Sequence, residues 1–268
     1  MKTTFIGAGK MATAILNGIL GAKFLKPEDI TVSDVNEENL KAINEKYSVK
    51  TVKDNVSAAK DAEMIFICTK PFVVENVLNE IKSAVSNDKL IVSIAAGVST
   101  EQIENIVGEI PVIRIMPNTP MLVNSGMSAV CKGKFADEKQ FEYVFEAAKT
   151  CGHAVKISED KIDAVTALSG SGPAFYARII TDMAKAAESL GLDRKTALML
   201  SAYTASGTAD LIMKSETDPE QLIVNVTTPG GCTAVGNDVL KENNITEILK
   251  QTIVKTAEKA AILGKKTE

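Results

Sequence analysis

From residue 1 to near residue 160, short apolar runs alternate with helical patterns, and this alternation constrains the fold most strongly. Most of the apolar runs are continuous, as expected for strands that are covered on both faces. The strand candidates are residues 3–6, 30–33, 64–69, 90–95, 112–116, 127–131 and 154–157, with helical patterns such as 10–20, 37–46 and 138–150 between them. The pattern predicts an α/β fold with a doubly wound, largely parallel sheet.

After residue 160 the pattern changes, and from Pro173 onward it is almost entirely helical. Apolar residues recur every three or four positions at Phe175, Ile179, Met183, Ala187 and Leu190, which is typical of an amphipathic helix. This half is rich in alanine and looks too thin to stand alone. We therefore expect a Rossmann-type dinucleotide-binding domain at 1–161 and an all-helical substrate-binding and dimerisation domain at 162–268.

Composition argues against several classes of protein. The net charge is −4 and aromatic residues make up only 4%, whereas nucleic-acid-binding proteins usually have a basic face and stacking rings. No apolar run approaches the roughly 20 residues that span a bilayer, and the N-terminal residues lack the apolar core of a signal peptide. We therefore expect a cytoplasmic protein with no nucleic acid or membrane as a partner. In an intracellular chain, the four widely spaced cysteines are expected to be reduced thiols.

The chain contains one histidine, His153, and no CxxC pair. A two-histidine metal site, a zinc finger and a histidine-based catalytic triad all need more than this. We therefore expect no bound metal. His153 itself precedes a strand-like run and is expected to be structural.

The sequence Gly7-x-Gly9-x-x-Ala12 follows the first strand candidate and opens a helical pattern, which is the context of a dinucleotide-binding turn. Gly7 would form the turn, Gly9 would let a pyrophosphate approach the backbone, and Ala12 would allow close packing of helix and strand. Lys10 and Met11 lie in the same turn and are candidate cofactor-binding residues. The alternative is a glycine turn that serves packing alone.

Asp34 ends the second strand candidate, where an acid can accept hydrogen bonds from the ribose of the adenosine half. An acid here favours NADH, because the 2′-phosphate of NADPH would meet a like charge. No arginine follows in residues 35–38, and two further acids do. The alternative is a solvated aspartate at a strand end.

Further cofactor candidates follow other strands, since ligands bind at the carboxyl ends of such sheets. They are Thr69, Lys70, Ala95, Ala96, Gly97 and Asn118. Lys70 would approach the ribose or pyrophosphate, and the small residues would leave room for the nicotinamide. A solvated lysine and purely structural turns are the alternatives.

The helical half contains two glycine-rich segments. In residues 167–173, Gly170 and Gly172 are expected to supply backbone freedom before a helix that begins at Pro173. In residues 228–233, successive N–H groups of a Gly-Gly turn are suited to a carboxylate. Thr233 would hydrogen-bond a substrate nitrogen, or alternatively cap the following helix.

Cys232, in the second of these segments, suggests a nucleophile, but no histidine lies near it in the sequence to activate it. We therefore do not expect a catalytic cysteine.

Five segments together resemble the pyrroline-5-carboxylate reductases. They are Gly-Ala-Gly-Lys-Met-Ala (7–12), Val-Ser-Ile-Ala-Ala-Gly (92–97), Met-Pro-Asn-Thr-Pro (116–120), Leu-Ser-Gly-Ser-Gly-Pro (168–173) and Thr-Pro-Gly-Gly (228–231). Their order and spacing also agree with that family, so the resemblance covers essentially the whole chain. It implies a Rossmann domain and a helical domain that interlocks with a partner, giving homodimers and larger rings such as decamers.

The resemblance also implies a reaction, the reduction of Δ1-pyrroline-5-carboxylate to L-proline with NADPH or NADH, which is the last step of proline biosynthesis. Matched by position, the substrate residues would be Thr228, Gly230, Gly231, Thr233 and Glu216, with Thr233 near the ring nitrogen and Asn55 as an adenosine-side contact. The family commonly has serine where Thr228 stands and threonine where Cys232 stands. Asp34 departs from the pattern of the NADPH-preferring members.

Two other functions remain as alternatives. A β-hydroxyacid dehydrogenase shares the two-domain plan, but its lysine and asparagine would fall where this chain has Tyr176 and Ile180. Without that lysine, oxidation of an alcohol lacks its proton acceptor. A non-catalytic cofactor sensor could use the same fold, although the intact 228–233 segment favours an enzyme.

Overall fold

A computed structural model describes residues 1–215 and 217–263, and an eight-stranded sheet forms the N-terminal part of the chain. The strands are β1 (Thr3–Ile6), β2 (Ile30–Ser33), β3 (Lys50–Val52), β4 (Met64–Ile67), β5 (Leu90–Ser93), β6 (Val112–Met116), β7 (Gly126–Lys132) and β8 (Gly152–Lys156). Their order is β3-β2-β1-β4-β5-β6-β7-β8, and only the β6–β7 pair is antiparallel. The first six strands have the order of a doubly wound dinucleotide-binding sheet, which confirms the predicted fold class.

Helices cover the sheet, and the described chain after β8 contains helices and their connections. They are α1 (Lys10–Gly21), α2 (Glu37–Tyr47), α3 (Asn55–Lys60), α4 (Pro71–Ile81), α5 (Thr100–Val107), α6 (Glu138–Lys149), α7 (Ile162–Val165), α8 (Gly172–Ser189), α9 (Arg194–Ser215), α10 (Pro219–Val226), α11 (Cys232–Glu242) and α12 (Ile245–Leu263). The chain forms two compact units. One comprises Met1–Ser171 with the stretch that begins at Lys255, and the other comprises Gly172–Val254.

The core of the first unit lies on both faces of the sheet. One cluster joins the strands to α1, α2 and α6, and a second joins them to α3, α4 and α5. Phe5 of β1 and Phe66 of β4 are opposite each other in register and stack with ring centroids 4.6 Å apart. Burial on both faces explains why these strands are continuous apolar runs.

Strand β3 was not predicted from the sequence. It has only three residues, includes the exposed Lys50, and lies at the edge of the sheet. Such a short, partly exposed strand has no apolar run that would reveal it in the sequence. It is recognised only by its pairing with β2.

The segment before α8 differs from the predicted glycine-rich connection. Thr166–Gly170 is a turn of π-helix, and α8 begins at Gly172, so Pro173 is its second residue. The prediction that Gly170 and Gly172 supply backbone freedom was wrong, because neither has a positive φ. Gly170 instead packs closely against the end of the Met116 side chain, since a Cβ there would lie 2.5 Å from Cε of Met116 unless that flexible side chain shifted.

Lys89, just before β5, stabilises the far end of α3. Its side chain is buried, and Nζ donates to the carbonyls of Ala59 (3.2 Å), Lys60 (2.8 Å) and Ala62 (2.6 Å). A cation at the carbonyls that end α3 and at that of Ala62 just beyond it is favourable, because the last carbonyls of a helix lack donors within the helix.

Replacing Lys89 by methionine is therefore expected to lower the free energy of unfolding by about 1–3 kcal/mol, because the carbonyls of Lys60 and Ala62 lose the donor that Lys89 gives them, whereas that of Ala59 keeps the long bond from Ala62 N–H. Denaturant unfolding measures this change. The exposed Lys82→Met serves as the control and is expected to leave the unfolding midpoint unchanged. Equal midpoints for the two variants would contradict this role of Lys89.

In the second unit, many apolar side chains are exposed on the single chain. The predicted stripe is among them, with Ile179 and Met183 of α8 at 41% and 60% exposure and Leu190, just after α8, at 88%. Exposed apolar residues repeated along one face of a helix are typical of protein–protein interfaces. The described helices include none with the length and apolar character needed to cross a membrane.

Candidate functional site

The turn after β1 depends on Gly7. Its φ is +103°, and a Cβ at this position would lie 2.8 Å from the carbonyl oxygen of Cys68, which follows β4. Its N–H donates to the carbonyl of Ser33 at 2.8 Å. Both the backbone conformation and the close approach of two chain segments require glycine here.

The N-terminus of α1 is available to an anion. Gly9 is the N-cap residue and offers no side-chain cap, and the first turn, which begins with Lys10 and Met11, contains no acid. By contrast, several other helices of this unit are capped by side chains, those of Asn36, Asp54, Ser99 and Asp137. A Cβ added to Gly9 would meet nothing within 4 Å. Free N–H groups beside open space fit a pyrophosphate.

Asp34 links the end of β2 to this turn. Its Oδ2 accepts from the backbone N–H of Ala8 at 2.6 Å, and its Oδ1 accepts from that of Asn36 at 2.8 Å. The half-buried carboxylate is therefore not merely a solvated strand end. Each oxygen keeps a second lone pair, so ribose hydroxyls can still be bound.

Lys53 is a cation near this edge that the sequence reasoning missed. It follows β3, and its ammonium forms an ion pair with Glu37 in the first turn of α2. Because β3 was not predicted, no pattern placed Lys53 beside Glu37.

Asn55 and Thr69 provide polar groups on the same edge of the sheet. Asn55 Oδ1 accepts from Ser33 Oγ at 2.8 Å, and its Nδ2 donates to Glu80 Oε2 at 2.9 Å. Thr69 follows β4, and its Oγ1 is buried with no hydrogen-bond partner among the described residues. A buried hydroxyl without a partner, next to the Gly7 turn, fits a polar atom of a ligand. Lys70 is exposed at the start of α4.

The loop between β5 and α5 contains Ala95, Ala96 and Gly97. The backbone N–H of Ala95 donates to Ser93 Oγ at 3.3 Å, and Gly97 has a φ of +75°. Within the same unit, Ala96 and Gly97 line a cleft of about 1140 Å³ whose other residues come mainly from α4, α5 and α12. The small side chains leave this cleft open.

Asn118, which follows β6, forms hydrogen bonds to two other segments of the chain. Its Nδ2 donates to the carbonyl (3.2 Å) and Oγ (3.3 Å) of Ser169, and its Oδ1 accepts from the N–H of Met127 at 2.8 Å. These contacts fit the structural alternative, and a cofactor contact of Asn118 stays a prediction.

In the second unit, Thr228–Gly231 forms a type II β-turn that leads into α11. Gly231 N–H donates to the carbonyl of Thr228 at 2.9 Å, Pro229 is the second residue, and Gly230 has a φ of +72°. Gly231 is the N-cap of α11 and has no side-chain cap, so the alternative that Thr233 caps this helix was wrong. Thr233 is exposed, and its hydroxyl has no hydrogen bond to another described residue. Its hydroxyl and the N–H groups of the first turn are available to a substrate.

The cysteines and the histidine lie in different surroundings. Cys232 is exposed, whereas burial raises the pKa of the Cys68 thiol and raises that of Cys131 to about 12. His153 is exposed on β8. Glu216 lies outside the described residues.

The structure thus brings the predicted cofactor residues together at the carboxyl edge of the sheet in one unit, and it presents the predicted substrate turn in the other. A dinucleotide turn of this kind, in a sheet of this order, defines a dinucleotide-binding protein. Residues 2–97 match a family model described as NADP oxidoreductase, coenzyme F420-dependent. Residues 159–263 match one described as pyrroline-5-carboxylate reductase dimerisation, which supports homo-oligomerisation.

Full-length relatives agree with the second match. A pyrroline-5-carboxylate reductase of Methanosarcina acetivorans is 36% identical over 99% of this chain and 98% of its own. A solved reductase of Coxiella burnetii superposes with a TM-score of 0.93 at 33% identity over 99% of each chain. A reductase of Plasmodium falciparum with NADP bound gives 0.90 at 30% identity over 99% of this chain and 98% of its own. The chain belongs to the pyrroline-5-carboxylate reductase family, and its cofactor is a pyridine nucleotide.

Proposed function

We propose that this chain reduces Δ1-pyrroline-5-carboxylate to L-proline with a nicotinamide dinucleotide. The observation that carries the proposal is the exposed Thr228–Gly231 turn, which leads into a helix without a side-chain cap, in a chain similar over its full length to reductases of this name. The turn offers N–H groups for a carboxylate and, at Thr233, a free hydroxyl for a ring nitrogen.

The protein needs to supply mainly binding and orientation. When bound, the nicotinamide supplies a hydride to the imine carbon of the substrate. Gly7, Gly9 and the first turn of α1 would hold the pyrophosphate, and Asp34 would hold the ribose. The 230–231 turn would fix the substrate carboxylate, and Thr233 would orient its nitrogen. A protonated imine is already electrophilic, so positioning provides most of the acceleration.

We propose that NADH is the preferred cofactor, on the basis of Asp34. Both oxygens of this carboxylate already accept backbone N–H groups, so the charge is fixed at the end of β2. A 2′-phosphate placed there would meet Asp34, with Glu37 and its partner Lys53 nearby.

Asp34→Asn is expected to move the ratio of kcat/KM for NADPH over NADH upward by roughly tenfold, because the like charge is removed. Asparagine keeps an oxygen that can accept from Ala8, whereas Asp34→Ser also removes this bond. Steady-state kinetics with each cofactor measures the ratio. An unchanged ratio in both variants would show that Asp34 does not select the cofactor.

We further propose that the helical unit forms the contacts of a homodimer, from which a larger ring such as a decamer would assemble. The exposed apolar side chains of α8 support this assembly. A cytoplasmic location is also proposed, and the four free thiols suit such a reducing compartment.

The test of the reaction is the oxidation of NADH and of NADPH, measured separately, with pyrroline-5-carboxylate as the substrate. Turnover and formation of proline are expected with at least one cofactor. A folded protein that binds NADH but shows no turnover with either cofactor would overturn the proposal and favour the sensor.

A further inference from the structure

Arg114 is a charged residue buried within the sheet. It lies in β6, between Ser93 of β5 and Cys131 of β7, and its exposure is 4%. The flanking Ile113 and Ile115 show that this strand otherwise carries apolar side chains. Burying a guanidinium is costly unless an anion faces it.

Glu159, which lies 45 residues after Arg114 in the sequence, provides that anion. Its Oε1 accepts from Nη1 of Arg114 at 3.0 Å. The Nε and Nη2 atoms of Arg114 are buried without a partner among the described residues, so the pair depends on this one contact. Removing Glu159 alone would leave an uncompensated buried charge.

The same carboxylate holds the start of α5. Its Oε1 accepts from the backbone N–H of Thr100 at 2.9 Å, and its Oε2 accepts from the hydroxyl of Thr100. Thr100 is the first residue of α5 and comes three residues after Gly97. Glu159 therefore holds the first residue of α5, three residues after the 95–97 loop that is predicted to contact the nicotinamide.

Glu159 also begins the segment 159–171, which leads in sequence to α8. The far end of this segment is held by β6 and the residues after it, through the bonds from Asn118 to Ser169 and the packing of Gly170 against Met116. At its near end the corresponding contact to β6 is the Arg114–Glu159 pair.

We propose that Glu159 is a positioning residue for hydride transfer. Through Thr100 it holds the start of α5, which follows the 95–97 loop, and through Arg114 it fixes the start of segment 159–171 on β6. The inference rests on the proposed function. Loss of Glu159 is expected to lower the rate of hydride transfer rather than the affinity for the cofactor, because the predicted pyrophosphate and ribose contacts lie at the Gly7 turn and Asp34.

Two variants separate positioning from stability. The double variant Arg114→Met, Glu159→Leu replaces both charges by apolar side chains, and because it also leaves the N–H and hydroxyl of the buried Thr100 without their acceptor, it is expected to unfold at a lower temperature than the wild type. Thermal unfolding therefore sets a temperature, below the transitions of all variants, at which the kinetics are compared. Thr100→Val removes one hydroxyl and keeps the ion pair. In both variants we expect the affinity for NADH to be unchanged. We expect kcat to fall by roughly tenfold in the double variant and by less in Thr100→Val. The deuterium isotope effect, measured with NADH labelled at the transferred position, is expected to rise in both.

Asp160→Asn is the matched control, because Asp160 is adjacent, exposed and paired only with neighbours in its own turn. It is expected to leave kcat, the isotope effect and the unfolding temperature unchanged. Wild-type kcat and isotope effect in the double variant and in Thr100→Val would overturn the inference and leave Glu159 with a structural role. An inactive wild type would instead overturn the proposed function.

Discussion

Replacing Gly9 by alanine is expected to abolish most NADH binding while leaving the stability of the protein unchanged. A Cβ at this position meets no protein atom within 4 Å, so the fold accepts it. The methyl group would, however, occupy the space through which a pyrophosphate reaches the N-terminus of α1. We expect the affinity for NADH to fall by at least roughly tenfold, or about 1.4 kcal/mol of binding free energy.

Gly7→Ala should behave differently, although it changes the same motif. The positive φ at position 7 is expected to lower the free energy of unfolding by about 1–3 kcal/mol when the residue has a side chain. In addition, its Cβ would lie 2.8 Å from the carbonyl oxygen of Cys68. We expect this variant to lose stability as well as binding.

NADH titration followed by fluorescence, together with thermal unfolding, distinguishes the two variants. Gly21→Ala is the control, because it lies in the same helix α1 and a Cβ there also meets nothing within 4 Å. It is expected to keep both affinity and stability. If Gly9→Ala bound NADH as tightly as Gly21→Ala does, the pyrophosphate would not lie at this turn.

Thr233→Ala is expected to reduce kcat/KM for pyrroline-5-carboxylate by roughly 10- to 100-fold, or about 1.4–2.7 kcal/mol of transition-state stabilisation. Thr233 is exposed, and its hydroxyl bonds to no other described residue, so the fold loses nothing with it. The loss would fall on a hydrogen bond to the substrate nitrogen. Thr233→Ser keeps this group and is expected to retain most of the activity.

Thr246→Ala is a matched control for this variant. Thr246 is the second residue of α12 and exposed, as Thr233 is the second residue of α11. Steady-state kinetics should show wild-type values for this control. If Thr233→Ala and Thr246→Ala were equally active, the proposed role of the Thr233 hydroxyl would be wrong.

Much of the fold could be predicted because buried strands and helices have regular periods. The predicted limits of β1, β2 and β6 coincide with those of the structure, and the strand order follows the predicted class. β3 could not be predicted, since its three half-exposed or exposed residues form no pattern of their own. The π-helical turn at Thr166–Gly170 was missed for a different reason, because glycine signals flexibility and close packing equally well in a sequence.

The candidate site shows the same division. The Gly7 turn and the Thr228–Gly231 turn could be predicted, because each needs glycine at a position that is local in the chain. The bonds of Asp34 to Ala8 and of Arg114 to Glu159 could not, since they join residues 26 and 45 positions apart. Pairs of residues this far apart leave no periodic pattern in the sequence.

The sequence by itself determined most of the strand and helix series, the positions of the tight turns and the resemblance to one family of reductases, because all of these depend on local conformation and residue type. Only the tertiary structure decided which polar groups are already bonded within the protein. It bonds Asp34, Asn55 and Asn118 to other parts of the chain and gives the Thr69 hydroxyl no partner within residues 1–215 and 217–263. The physical reason is that a hydrogen bond depends on distance and direction in space, which the folded sheet alone establishes.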